Sequence, residues 1–467
     1  MTESCPSPER ISRRSLTRLL GGSLLAQLPL SRAAEALTPS MTSEHPHVSR
    51  AAYKSPGGQL PKFRQSAALA YQLTLEDIAF LNDFQRRACL YFTEQADPVS
   101  GQVLDRALNR TSTGKLDIRF ASSIAATGFG LTALCIADKH GFAPTARLRK
   151  QVLATLKFHL NKMPHEHGFF YHFNDVKTGK PLINSEVSSI DTAIFLCGVL
   201  TARMHFNDPQ IHSLATQLYE RVDFPWMLNN GLTFSMGWHP ETGFISYRWD
   251  QYSELMMLYL LAIGSPTNPI DPDFWDHFTR PHIDFANFRF IGGRTPLFVH
   301  QYSHAWFDFA NKRDDYADYF TNSVTATRAH KAFCLSLGRG YNDNYWGITA
   351  SDWAHGYTAW GGPPLIGPVD GTVVPAATAG SLPFTPADSL RVLRSLKDTY
   401  GKDAWGRYGL CDAFHPKQLW YDPDVLGIDL GISLLMAENL RSGYVWDTFM
   451  LNPEPNAAML AVNFHSF

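Results

Sequence analysis

The chain has 467 residues, enough for a large core, and its 41 Lys+Arg against 43 Asp+Glu leave a formal net charge of −2. With only 18% charged residues, this balance argues against a polyanion such as nucleic acid as the partner. Aromatics make up 13%, with 11 Trp and 18 Tyr, a surplus that serves either a large core or stacking on an uncharged ligand.

The N-terminus carries Arg13-Arg14 ahead of a weakly apolar run, Leu19 to Leu30, and small residues at Ala34 and Ala36. This pattern predicts a twin-arginine export signal over 1–36, with periplasmic or secreted destination and no stable membrane anchor. A Pro-, Ser- and Gly-rich lead-in over 37–73 follows, then a single domain over 74–467. The five cysteines after the signal are scattered through apolar helical contexts without Cys-x-x-Cys spacing, so they read as small buried hydrophobes.

From Leu73 to Phe92 apolar residues recur at helical spacing behind a Thr74 cap with Asp77 three residues on. A Gly- and Ala-rich helix, Ser122 to Lys139, precedes a more polar one, Pro144 to Met163, suggesting that inner and outer helices alternate. Further helical hairpins are expected at Pro209 to Met227, Asp271 to Pro281, Pro296 to Phe309 and Asp314 to Leu337. Asn342 to Phe384 reads as a long Gly-, Pro- and aromatic-rich functional loop, and helices return at Pro386 to Tyr400 and Ile428 to Leu440.

A unit of aromatic hairpin followed by apolar helix occurs three times, at His167 to Asp191, Gly231 to Leu255 and Tyr408 to Gly431. In the second, a Pro240 to Gly243 turn leads to an almost wholly apolar helix predicted over Gln251 to Ile263, with Glu254 in its first turn. Each unit sets carboxylates at the start of a buried helix: Glu186 and Asp191, Asp250 and Glu254, and Asp429. The fold class expected is all-α, an (α/α) barrel whose inner helices bring these acids to one rim.

Metal, phosphate-loop, dinucleotide and nucleophile-elbow motifs are absent, and His165, His167, His300 and His304 read as hydrogen-bonding histidines. Paired carboxylates among aromatics are the equipment of glycoside hydrolysis, one as acid and one as base or nucleophile. The expected acid is Glu254, desolvated among aromatics. Asp429 or Asp191 is the expected base, with Asp429 preferred because Gly427 and Gly431 leave room for a water. Glu186, Trp238, Tyr247, Trp249, Tyr252, Trp346, Trp353 and Trp360 are the expected sugar contacts. Two other readings stay open: a polysaccharide lyase using Arg248 and Tyr252, and a non-catalytic sugar-binding protein. In each case the partner is an oligo- or polysaccharide met by a monomer without metal or cofactor.

The motifs SSIAATGFG (122–130), SSIDTA (188–193), YLLAIGSPT (259–267), WGITASDW (346–353), AWGGPP (359–364), DGTVVP (370–375), GID (427–429) and AENLRSG (437–443) occur together in this order. The set resembles the glucoamylase-like family of exported bacterial proteins that includes the endo-β-1,2-glucanases of glycoside hydrolase family 144. The resemblance implies an (α/α)6 toroid, short hairpins at the cleft rim, and hydrolysis of a β-linked glucan with inversion. It puts Asp191, Glu254 and Asp429 on the family's acid-bearing motifs. The sequence departs from the family pattern at Gln251-Tyr252-Ser253 before Glu254 and at Leu430-Gly431 after Asp429.

Overall fold

The computed structural model describes residues 71–182 and 184–467, and the expected export signal and almost all of the expected lead-in lie outside them. Helix α1 (Leu75–Glu94) starts at the expected cap: Thr74 accepts from the Asp77 amide, and the Asp77 carboxylate accepts from the Thr74 amide at 3.0 Å. Then come α2 (Ile124–Lys139), α3 (Thr145–Asn161), α4 (Ser189–His205), α5 (Pro209–Glu220), α6 (Phe224–Leu228) and α7 (Met256–Ile263). The second half holds α8 (Tyr302–Trp306), α9 (Tyr319–Ser336), α10 (Pro375–Ala379), α11 (Pro386–Tyr400), α12 (Gly427–Ser442), α13 (Tyr444–Phe449) and α14 (Pro453–Ala461).

The helices divide by burial as their sequences divide by pattern. Residues 124–137 of α2, 189–203 of α4 and all of α7 are buried around the whole circumference. Helix α3 instead buries one stripe, including Leu148, Val152, Leu156 and His159, the spacing of a helix with one face in water. Helix α5 does the same with Ile211, Ala215, Leu218 and Tyr219.

Helix α2 packs on α4 and α12, α4 on α7, and α10 on α12. On the other side of these lie α1 against α2 and α12, α3 against α2, α5 against α4, α14 against α7, and α11 against α10. The packing is close because the sequence puts small residues at the crossings: a Cβ on Gly431 of α12 would meet Phe129 Cγ of α2 at 2.4 Å.

The chain just ahead of successive buried helices is laced together by short antiparallel pairs. Asp424–Leu426, leading into α12, pairs with Arg106–Leu108, and Ala121–Ser123, leading into α2, pairs with Phe173–Asp175. Val187–Ser188, leading into α4, pairs with Gly237–His239, which pairs with Gly243–Phe244 across the expected Pro-Glu-Thr-Gly turn. These pairs satisfy backbone groups that the helix starts leave open, and they gather the first turns of α12, α2 and α4 at one side of the molecule.

Three expectations change. The buried helix after the second hairpin starts at Met256 rather than Gln251. Gln251 bridges Thr279 and the Tyr252 amide donates to the Thr279 carbonyl at 2.8 Å, which keeps that stretch extended. Glu254 therefore sits in the turn before α7. Asp271 to Pro281 forms only a 3-10 turn, Pro272–Asp276, and the long loop after Asn342 contains a hairpin, Ser351–Trp353 with Gly356–Thr358, and helix α10. Cys89, Cys135, Cys197, Cys334 and Cys411 are buried free thiols, as their apolar settings suggest.

Candidate active site

Asp191 occupies the third position of α4, where the same residue serves cap and site: Ser188 caps the helix and its hydroxyl donates to Asp191 Oδ2 at 2.6 Å. The His172 ring, stacked on Phe173, places Nδ1 2.9 Å from Glu186 Oε1 and 3.7 Å from Asp191 Oδ2. Burial works against charge on this ring, but the two carboxylates outweigh it and push His172 up to about 9. Glu186 is held low despite burial because His172 donates to it, whereas burial dominates at Asp191 and moves it up.

Glu254 is buried at 6% exposure, and its desolvation, with the Asp191 charge adding to it, pushes the carboxyl up to about 7. Asp429, in the first turn of α12, is also buried and moved upward by desolvation. It shares a side-chain hydrogen bond with Asp412, whose own carboxyl burial drives well above the usual range. Two buried carboxyls in this relation hold one proton between them, with Asp412 donating to Asp429. Glu254, Asp191 and Asp429 are linked by a common neighbour: all three charges act on the buried Tyr302 phenol.

Residues far away in sequence complete the surroundings. Arg106, buried, holds Asp105 Oδ2 at 3.0 Å and Asp352 Oδ2 at 2.6 Å, and the Asp352 amide donates to Asp412 Oδ2 at 2.9 Å. The Tyr357 phenol lies in the field of Asp429 and Asp412. None of Asp412, Asp352, Arg106, His172, Tyr302 and Tyr357 was singled out from the sequence. Asp412 had a signal there in the density of aspartates between Asp403 and Asp429, and Asp352 in the WGITASDW motif.

The aromatic expectations separate cleanly. Tyr247 is exposed, while Trp238, Trp249 and Trp353 are half-buried. Trp249 donates to Ser189 Oγ at 2.9 Å, next to the start of α4. Tyr252, Trp346 and Trp360, expected to touch sugar, are fully buried and present no ring face to a ligand. Tyr252 stacks on Tyr319 at 5.9 Å and bonds the His300 ring at 3.2 Å; Trp360 donates to Ser351 Oγ at 3.1 Å. The glycines beside Asp429 do not make room for a water either. Added Cβ atoms at Gly427 and Gly431 would meet Ala126 and Phe129, so these glycines admit α2.

Among the described residues, two groups bring ligand-type atoms within 4.8 Å of one another, His172 with Glu186 and Asp191, and Asp352 with Asp422 and Asp424. Both are already served by the protein's own cations. A protonated His172 has no lone pair for a metal, and Arg119 grips both oxygens of Asp424 while Arg106 holds Asp352. His300 and His304 are kept neutral by burial, pushed down to about 3, and bond to Tyr252 and Ser323. Arg248, which a lyase would need free, donates to Thr233 and to the Leu228 carbonyl at 2.7 Å.

Residues 246–453 match the family model described as "Putative glucoamylase". The chain is 27% identical to an exo β-1,2-glucooligosaccharide sophorohydrolase (non-reducing end) of Parabacteroides distasonis, over 83% of this chain and 58% of that protein, so it spans under two thirds of that relative. Among solved structures, an endo-β-1,2-glucanase of Chitinophaga pinensis in complex with sophorotriose and glucose is 26% identical, with a TM-score of 0.76 over 84% of this chain and 99% of that one. A Bacteroides uniformis structure of the same description as the family model is 26% identical, with a TM-score of 0.77 over 85% of this chain and 99% of its own. By the family match over 246–453 and these likenesses, the chain is similar to the glucoamylase-like proteins.

Proposed function

We propose that this protein is a glycoside hydrolase that cleaves a β-linked glucan, β-1,2-glucan foremost, by acid/base catalysis with inversion. The observation that carries the reading is a buried Glu254 held near pH 7 whose charge, with those of Asp191 and Asp429, bears on Tyr302. Glu254 is the general acid, because burial keeps its proton available to the leaving oxygen at neutral pH. Asp429 is the base: the proton it shares with Asp412 leaves one carboxylate free to take a proton from water. Asp191 and Glu186, oriented by His172 and Ser188, bind sugar hydroxyls, with Tyr247, Trp238, Trp249 and Trp353 as the apolar surfaces. The relatives that hydrolyse β-1,2-linked glucans support the substrate class.

The helices that pack in sequence from α12 through α2, α4 and α7 form, in this reading, the inner ring of an (α/α)6 toroid, with the short strand pairs at the rim of its cleft. The enzyme works as an exported monomer and needs no cofactor. Reducing-end release across a panel of linear and cyclic glucans tests the activity; β-1,2-glucan should be the best substrate. Glu254→Gln and Asp429→Asn should each lose about two to four orders of magnitude in turnover. Full activity in either variant would overturn its assignment. Proton NMR of the first product should show the inverted anomer, and a retained anomer would mean a nucleophile in place of a base.

A further inference from the structure

The loop that brings Asp352 to the site leaves and rejoins the body of the protein at one buried side chain. His330 of α9 is 1% exposed. Its Nε2 accepts from the Ile348 amide at 2.9 Å, which puts the ring proton on Nδ1, and Nδ1 donates to the Gly362 carbonyl at 2.6 Å. The two bonds fix opposite ends of the excursion 348–362. The neck is narrow: Gly361, at φ +143°, lies so near that an added Cβ would be 3.3 Å from the Ile348 carbonyl oxygen and 3.6 Å from His330 Cε1. Between these ends stands the hairpin Ser351–Trp353 with Gly356–Thr358. From it Asp352 reaches Arg106 and its amide donates to Asp412, while Tyr357 faces Asp429 and Asp412.

We propose that His330 is a positioning residue: a neutral imidazole clamp that closes the neck of this loop and thereby sets the Asp352 amide on the Asp412–Asp429 pair. The proposal rests on the reading of Asp429 as the base. One tautomer satisfies both backbone groups, and a doubly protonated ring would turn a second N–H toward the Ile348 N–H and break the clamp. The titratable groups facing the ring are Cys334, 3.5 Å from Nε2, and His300, whose titration it disfavours. Burial keeps His330 neutral, pushing it down to about 4, so the clamp is closed across the neutral range.

The test compares the wild type with His330→Asn and His330→Gln, each of which can keep at most one of the two bonds, and with Gly361→Ala, which strains the neck while leaving the ring in place. Hydrogen exchange should speed up by about tenfold or more across 348–362 in all three variants, with the buried helices as protected as in the wild type. On β-1,2-glucan kcat should fall about ten- to a hundredfold, the scale expected when a catalytic group is misplaced. The acid limb of the kcat profile should move to higher pH, because the Asp352 amide no longer favours the ionised form of the pair. Unchanged exchange across 348–362 would overturn the clamp. A lower unfolding midpoint with wild-type kcat and acid limb would reduce His330 to a core residue and overturn the positioning role. If one His330 variant fails to fold, the other and Gly361→Ala give the same readings. If the wild type hydrolyses no glucan, the functional reading falls by itself, while exchange still decides the clamp.

Discussion

Gly128 of α2 and Gly198 of α4 face each other so closely that a Cβ on Gly198 would lie 2.0 Å from the Gly128 carbonyl oxygen. In an exposed helix a glycine-to-alanine change stabilises by about 1 kcal/mol through propensity. Here the new methyl meets backbone, which cannot rotate away, so overpacking wins. Gly198→Ala should cost about 3 kcal/mol and lower the midpoint of thermal unfolding. A midpoint at or above that of the wild type would mean that the two helices are not in this contact.

The pH dependence of activity follows from the proposed role of Glu254 as general acid. A general acid must carry its proton, and Glu254 titrates at about 7, so kcat should decline as pH rises through that value. Glu254→Gln should lose this limb with the activity. A basic limb retained by residual Glu254→Gln activity would assign the titration to another group.

The same residue makes a prediction about stability. Its folded pKa lies above the usual value of 4.5, so the unfolded chain ionises first as pH rises. The stability associated with the protonated form is full below about pH 4.5 and is lost progressively as pH rises to about 7. Replacing the buried carboxyl with an amide removes this loss. Urea unfolding at pH 8 should show Glu254→Gln more stable than the wild type by about 3 kcal/mol, with little difference at pH 4. Equal stabilities at pH 8 would show that Glu254 ionises in the fold without penalty.

Two neighbouring tryptophans should behave in opposite ways. Trp353 is half-buried and its ring lies 5.4 Å from that of Trp360, which is fully buried. Trp353→Ala should raise KM on β-1,2-glucan about tenfold with a small change in stability, the loss of a stacking surface. Trp360→Ala should destabilise by about 3 to 5 kcal/mol, the cost of a large core cavity. A Trp353→Ala enzyme with wild-type KM would remove Trp353 from the binding surface.

The local signals in the sequence were sufficient for the helices and their sides. All-round apolar runs in α2, α4 and α7 could only be buried, the single stripe of α3 could only face outward on its other side, and Thr74 with Asp77 marked a helix start by reciprocal hydrogen bonding. The Pro240 to Gly243 turn was equally legible, since Gly243 takes a φ of +79°. Tertiary structure decided which aromatics stay accessible, because a core tryptophan such as Trp360 and a half-exposed one such as Trp353 have the same composition and nearly the same surroundings in sequence. It decided where α7 starts, through a bridge from Gln251 to Thr279 that local propensity does not contain. It also assembled the charges around Asp429: Arg106 and Asp352 stand 246 residues apart and meet at 2.6 Å, on a hairpin whose Asp352 amide also donates to Asp412. Pairing across such a separation depends on burial and packing of the whole chain, which no window of sequence encodes.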